Sequence, residues 1–322
     1  MAGVRAPIAV VVNPRSGRHR ADPALTGRLR ALLDTRDLFA AVEDHAALRD
    51  VAVEARARGS AIVAVSGGDG TLGLAVGALE QAWAGEPLPP LVPLRGGTMN
   101  TIAHATGVPR GRPEALLAAL VRALERGQPL RTTRRRTMDV AGRRCFLFGM
   151  GIGRAFLEEY YGRGRARPSP LVAARTLAAI AGSALVRGPL IASLARRVDL
   201  TVYVDGARWV AAPLLTLLAG TIDQIGLGFR PFFRAGDGID AFHVVAVHGS
   251  PAAVVAGLPR VRLGLPLPPT VASETLARSV LVELAASDLA EYFADGDLER
   301  ADAPLHIALG PTVRIGSPPD VD

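Results

Sequence analysis

Ala61-Ile62-Val63-Ala64-Val65 runs without a break into Ser66-Gly67-Gly68-Asp69-Gly70-Thr71, and from there into the apolar stretch Leu72–Trp83. A short, continuous apolar run is what a strand buried on both faces of a parallel sheet requires. The glycines behind it free the backbone to approach a ligand closely and to turn its N–H groups inward. A helix that follows adds its positive end, so strand, glycine turn and helix together make a cradle for phosphate. A hairpin turn would need a second strand where Leu72–Trp83 reads as helix. An aspartate inside an anion cradle serves no purpose for phosphate alone, so Asp69 is read as a group that meets magnesium, a ribose hydroxyl or an acceptor hydroxyl.

Working outward, the same arrangement recurs on both sides. Ile8–Val12 is an apolar run that ends in Asn13-Pro14-Arg15-Ser16-Gly17, and Pro90–Pro93 leads into Arg95-Gly96-Gly97-Thr98-Met99-Asn100. Helices are expected after Asp22 as N-cap with Leu25, Leu29, Leu32 and Leu33 on one face, over 46–58 up to Gly59, and over 113–126 up to Gly127. A weak strand is expected at Phe39–Val42. Repeated strand–turn–helix units imply a parallel sheet whose ligand site lies at the carboxyl ends of the strands.

From about residue 130 the pattern changes. Thr201–Val204 and Arg208–Val210 flank Asp205-Gly206, a hairpin signal. Short β runs recur at Cys145–Phe148, Leu214–Leu218, Phe242–Val247, Val280–Leu284, His306–Leu309 and Val313–Ile315. This half reads as an antiparallel sandwich or barrel with a helical insert at about 170–197 and a Pro/Leu-rich loop at 257–270. Gly149-x-Gly151-x-Gly153 lacks the dinucleotide spacing and the later acid, and reads as a glycine-rich turn.

The 322 residues hold 37 basic side chains against 30 acidic ones, and all the basic ones are arginine. Without lysine, a P-loop lysine, a Schiff base and a pyridoxal anchor are excluded, so phosphate would be held by backbone N–H groups, arginine and metal. Hydrophobic residues at 49% and charged residues at 21% describe a folded chain long enough for two domains. Cys145 stands alone in an apolar run and reads as an inert buried thiol; no zinc spacing is present. Met1–Pro7 shows no signal-peptide core, so a cytoplasmic protein is expected. Residues 131–170 carry ten arginines against Asp139, Glu158 and Glu159, which equals the whole excess of +7. The segment lacks interleaved aromatics, so nucleic acid is not expected as a partner. Solvated loop charge, an anionic membrane surface and an anionic nucleotide all remain open for it.

At this point the motifs resemble the diacylglycerol kinase catalytic-domain family, which includes bacterial lipid kinases and sphingosine and ceramide kinases. The matching residues are Asn13-Pro14-x-Ser16-Gly17, Gly67-Gly68-Asp69-Gly70-Thr71, and Pro93-x-x-x-Gly97-Thr98-x-Asn100 followed by Ile102-Ala103. Phe148-Gly149-x-Gly151-Ile152-Gly153, Gly236-Asp237-Gly238-Ile239-Asp240 and Asp295-Gly296-Asp297 follow in order along nearly the whole chain. The Gly-Gly-Asp-Gly-Thr block is shared with NAD kinases and resembles phosphofructokinases.

The resemblance implies a nucleotide-binding α/β domain over 1–130, rejoined by about 305–322, and a β-sandwich lipid-substrate domain over 131–304. It implies ATP at Asn13, Pro14, Ser16, Gly17, Gly67, Gly68, Asp69, Gly70, Thr71, Leu72, Thr98 and Asn100, and Mg²⁺ at Asp237. Asp69, Asp295 and Asp297 are its candidates for the general base, and the acceptor is the hydroxyl of diacylglycerol or a related lipid at a membrane surface. The chain departs from the family where Asp297 replaces the usual glutamate, shortening the reach by roughly 1.5 Å, a displacement that matters in catalysis. It departs again at Arg95-Gly96-Gly97 and Met99-Asn100-Thr101. The insert 171–195 with Arg163, Arg165, Arg167, Arg175 and Arg187 fits either an interfacial element at the inner membrane face or an ordinary packed helix. An NAD kinase-like enzyme and a catalytically silent nucleotide- or lipid-binding regulator are the alternatives; a homodimer is left open.

Overall fold

The computed structural model describes residues 5–162, 170–185, 188, 191, 195–236, 239–285 and 289–319. Asp237, Arg163, Arg165, Arg167 and Arg187 lie outside the described residues. The chain forms two compact units, Met1–Arg135 with Pro311–Asp322, and Arg136–Gly310.

The first unit runs β1 (Ile8–Val12), α1 (Gly17–Ala21), α2 (Leu25–Arg30), β2 (Leu38–Ala41), α3 (His45–Ala57), β3 (Ile62–Ser66), α4 (Asp69–Trp83), β4 (Leu91–Pro93), α5 (Thr101–Ala105) and α6 (Pro113–Glu125). Its strands lie in the order β2-β1-β3-β4, all parallel, and the returning chain adds Ile315 in parallel register with Leu91. One face of the sheet buries Ile8, Val10, Val12, Ile62 and Ala64 against Leu25 and Leu29 of α2 and Leu116, Leu117 and Leu120 of α6. Ala9, Val11, Val63 and Val65 on the other face are buried too, and this is why β1 and β3 are apolar without alternation. Each buried leucine contributes about 1.5–3 kcal/mol by leaving water, so the two-sided burial stabilises the strands more than their own propensity does.

Two helices differ from the sequence expectation. The helix after β3 begins at Asp69 rather than Leu72, with Gly68 in extended conformation as its N-cap. The helix after β1 begins at Gly17, and Asp22 closes it instead of opening the next one, whose N-cap is Ala24. In both cases the helix starts inside the glycine motif, because the motif's last residues take helical angles as soon as the turn ends.

The second unit is entered along β5 (Arg131–Val140) and continues through β6 (Arg143–Cys145), β7 (Leu147–Gly151), α7 (Ile152–Gly162), α8 (Pro170–Leu185), β8 (Val198–Val204), β9 (Ala207–Leu214), β10 (Thr216–Gly220), β11 (Phe242–Val247), α9 (Pro251–Arg262), β12 (Ala272–Ala277), β13 (Ser279–Leu284), β14 (Leu289–Ala294) and β15 (Asp297–Asp302). It is left along β16 (Leu305–Ser317). One sheet has the order β12-β11-β10-β7-β14-β15, antiparallel throughout. Opposite it, β9-β8-β13 is antiparallel and joins the first half of β16, which also pairs with β5. Phe148, Met150, Leu217, Phe242, Val244 and Tyr292 of the first sheet share one buried cluster with Met138, Leu200, Val202, Val280, Val282 and Ile307 of the second. That shared core makes the unit a sandwich.

Three sequence readings change in this unit. His306–Leu309 and Val313–Ile315 are one strand, β16. Gly149-x-Gly151-x-Gly153 is no turn but the end of β7 running into α7; a Cβ on Gly149 would lie 2.3 Å from the Phe293 ring that covers it. Much of the expected loop at 257–270 belongs to α9, which Ser250 caps by accepting from the Ala253 N–H, with Pro251 in its first turn and Pro259 near its end. Among the described residues no helix is long and apolar enough to cross a membrane.

Candidate functional site

Three strand ends of the first unit open side by side: β1 into Asn13–Gly17, β3 into Gly67–Gly68, and β4 into Arg95–Asn100. Backbone bonds lock them together. Asn13 N–H donates to the Ser66 carbonyl at 3.0 Å, and Arg18 N–H donates to the Gly96 carbonyl at 3.0 Å. Asn13 Nδ2 donates to Thr71 Oγ1 at 2.9 Å, while its Oδ1 accepts from the Arg15 N–H at 2.9 Å and closes the turn. Ser16 Oγ donates to the Asn13 carbonyl at 2.8 Å. Pro14 is half-buried between them.

Most of the motif glycines are needed by this packing. A Cβ on Gly97 would meet Gly68 Cα at 2.4 Å, one on Gly96 would meet the Ser66 carbonyl carbon at 2.7 Å, and one on Gly17 would meet Thr98 Oγ1 at 2.5 Å. On Gly67 it would strike the Thr71 side chain at 2.6 Å. Gly68 is the exception: its nearest neighbour would be Gly97 Cα at 3.8 Å, an ordinary contact. Gly68 thus has room for a Cβ, and beside it stands the N-terminus of α4, whose first N–H groups have no partner within the helix. Gly67, Gly68, Asp69, Leu72 and Asn100, with Val65, Pro93 and Ala103, line one small cleft there. Gly70, Thr71 and Leu72 are buried in the first turns of α4.

Asp69 has its two oxygens engaged. Oδ2 accepts from the Thr101 N–H and Oδ1 from the Ile102 N–H, each at 2.9 Å, so the carboxylate sits on the first amides of α5. Withdrawal from water pushes its carboxyl above the ordinary range, and the amides of Ile102 and Thr101 and the Arg95 guanidinium pull it back. Asn100 precedes α5 with φ of 50°, a left-handed conformation asparagine tolerates better than most residues. Its Oδ1 accepts from the Gly97 N–H at 3.0 Å and its Nδ2 donates to the Gly97 carbonyl at 2.9 Å, which staples the third turn.

Sequence reasoning missed two supports. His19 is buried with Nε2 at 2.8 Å from Ser66 Oγ and Nδ1 at 3.0 Å from Thr26 Oγ1, tying α1 to the end of β3; burial lowers its pKa. No spacing rule marks such a histidine. Arg95, read only as a departure, is buried at φ 53° and donates to the Val108 carbonyl. Burial lowers its pKa, Arg110 and Arg18 add to that, and Asp69 opposes it, so three cationic side chains share this end of the unit.

The remaining sequence candidates belong to the second unit. Asp295 is buried in the turn between β14 and β15 with φ of 51°, and its Oδ1 accepts from the Phe146 and Leu147 N–H groups at 2.9 Å each. Asp297 is exposed and pairs with Arg143 Nη2, and Arg143 also bonds Glu299. Asp240 is paired with Arg136 and Arg278. Among the described residues no group of three histidine, cysteine or acidic side chains could hold a metal ion. Asp237, the expected metal ligand, lies outside them.

Residues 7–130 match the family model of the diacylglycerol kinase catalytic domain. No curated protein matches the sequence. Among solved structures, a candidate diacylglycerol kinase from Bacillus anthracis strain Sterne is similar at a TM-score of 0.69 and 16% identity, covering 98% of this chain and 99% of its own. A diacylglycerol kinase from the same strain is similar at 0.63 and 15%, covering 99% of this chain and 100% of its own. At those identities the likeness is one of fold, and the family model matches the α/β unit alone. Over that unit, with its three interlocked strand-end turns, the chain is similar to the diacylglycerol kinase catalytic domain.

Proposed function

We propose that this protein transfers the γ-phosphate of ATP to a hydroxyl of diacylglycerol or a related lipid. The observation that carries the reading is the room before Gly68 at the N-terminus of α4, where a Cβ would meet nothing nearer than Gly97 Cα at 3.8 Å, while one on Gly17, Gly67, Gly96 or Gly97 would strike its own neighbours. A helix N-terminus approached through a side-chain-free residue is where phosphate oxygens are held when lysine is absent. Arg18 and Arg110 supply positive charge around Arg95 in the third turn. Asn13 and Thr71 hold the first turn against α4, and Asn100 holds the third, so the cradle is formed before ligand arrives.

Phosphoryl transfer consists mainly of positioning and charge neutralisation, with help for the hydroxyl that loses its proton. The Mg²⁺ that the resemblance implies would neutralise phosphate charge, with Asp237 as its ligand. Asp69, held by the α5 amides, orients the site and is one candidate for accepting the proton; Asp295 and Asp297 are the others. The test is transfer of labelled γ-phosphate from ATP to a panel of lipids in mixed micelles, with NAD as a parallel acceptor. Labelled lipid without labelled NAD is the expected result. ATP binding with no labelled product across the panel would sink the kinase reading in favour of a silent regulator.

A further inference from the structure

Two segments of the second unit that are far apart in sequence build one surface around the end of α9. Arg230 N–H donates to the Val261 carbonyl at 2.9 Å, the Arg262 guanidinium bonds the Leu227 carbonyl, and it stacks over the Phe229 ring at 5.9 Å. A Cβ on Gly264 would lie 3.7 Å from the Arg230 side chain and 3.8 Å from that of Phe233. Arg260 Nε donates to the Pro266 carbonyl at 2.9 Å and folds the chain after the helix back on itself.

Large apolar side chains stand in solvent on this surface. Leu263 is 72% exposed, Leu265 45% and Ile225 41%. Leu263 leaves most of its surface in water, Leu265 and Ile225 close to half, and Pro266, Pro268 and Pro269 stiffen the segment that presents the two leucines. The charge around them has one sign. Arg230, Arg234, Arg260 and Arg262 are exposed, while neither 224–236 nor 241–273 contains an acidic residue. Asp223, paired with Arg230 at 3.2 Å, is the acid at the margin.

Protruding leucines ringed by arginines match the two layers of an anionic bilayer surface: hydrocarbon below, phosphate above. A soluble acidic protein would satisfy the arginines but would leave the leucines no reason to protrude from a stiff turn. We propose that the end of α9 and the 225–234 turn dock this protein on anionic lipid, with Leu263 and Leu265 entering the interface and Arg230, Arg260 and Arg262 meeting phosphate. The site differs from the insert that the sequence nominated. The proposal deepens the lipid-kinase reading and rests on it for the choice of a bilayer as occupant.

The test is co-sedimentation of the full chain with phosphatidylcholine vesicles, with and without phosphatidylglycerol, at low and high salt. Binding only to the anionic vesicles, weakened by salt, is expected. Leu263→Gln with Leu265→Gln should weaken it by about tenfold or more at an unchanged melting temperature, and Arg260→Gln with Arg262→Gln should weaken it as far after correction for the folded fraction, since these arginines also bond the Pro266 and Leu227 carbonyls. Wild-type chain that ignores anionic vesicles, or variants that bind as wild type does, would overturn the proposal. So would a dimer in solution that the leucine variants dissociate, since the patch would then be a self-interface. A kinase assay that fails on every acceptor while vesicle binding persists overturns the catalytic reading and not this surface.

Discussion

Gly68 and Gly97 approach each other backbone to backbone, and the approach is one-sided. A Cβ on Gly97 would lie 2.4 Å from the Gly68 Cα, whereas a Cβ on Gly68 would come no nearer than 3.8 Å to the Gly97 Cα. One glycine is required by the protein's own packing, and the other leaves space for something else. Alanine at the two positions therefore separates fold from ligand.

Gly97→Ala is expected to lower stability by about 1–3 kcal/mol, because the backbone of the β3 turn must move. Gly68→Ala keeps φ near −88°, which alanine accepts. Its stability should change by less than about 1 kcal/mol while ATP affinity falls roughly tenfold or more. Thermal melts and titration calorimetry check the pair.

Asp69→Asn should abolish turnover. It should also cost about 1–3 kcal/mol of stability, because an amide can accept from only one of the Thr101 and Ile102 N–H groups and presents a donor to the other. Measured kcat, corrected for the folded fraction, tests this. A corrected rate equal to wild type would remove Asp69 from the chemistry.

Asn13→Ala and Thr71→Ala each break the same 2.9 Å hydrogen bond between the first turn and α4. In a double-mutant cycle they should couple by about 1 kcal/mol, and additive effects would show that the bond does not hold the cradle.

Asp295→Ala should destabilise the protein by about 1–3 kcal/mol, since it leaves the buried Phe146 and Leu147 N–H groups without their acceptor. Asp297→Ala, exposed beside Arg143, should cost no more than about 1 kcal/mol. A loss of kcat of about a hundredfold or more in either variant, beyond its loss of folded protein, identifies the base.

His243 is buried, with Nε2 3.0 Å from Glu274 and the Phe233 ring centred 5.0 Å from its own. Burial, with Arg234 adding to it, lowers its pKa from 6.5 to about 4, although a hydrogen bond to the Phe232 backbone pulls the other way. The neutral ring suits the site, since burial penalises the charge that protonation would add. A depressed histidine pKa means the unfolded chain binds the proton first as pH falls below 6.5. Unfolding free energy should therefore drop between neutral pH and about pH 4, by about 3 kcal/mol in all. Urea titrations across that range measure it, and His243→Gln should flatten the dependence.

Much of the architecture was legible in the residues. The unbroken apolar runs at Ile8–Val12 and Ala61–Val65 announced strands covered on both faces, and hence a parallel sheet. Asp205-Gly206, with φ of 48° and 85°, announced the β8–β9 hairpin. Both are local signals, carried by a few adjacent side chains or by one backbone preference. The helix starts at Gly17 and Asp69 were less legible, because a glycine permits helix and turn alike and the neighbouring segments choose between them.

The motif glycines show the division most clearly. By itself the sequence determined that backbone comes close to something at Gly67, Gly68, Gly96 and Gly97. Tertiary structure decided what: three of them meet the chain itself at under 3 Å, and Gly68 has room for a Cβ with no contact nearer than 3.8 Å. The same holds for Asp69 on the α5 amides and for His19 against Ser66. It holds again for the arginines and leucines gathered at the end of α9. Each depends on segments tens of residues apart being brought within a few ångströms, and only the packed core fixes that distance.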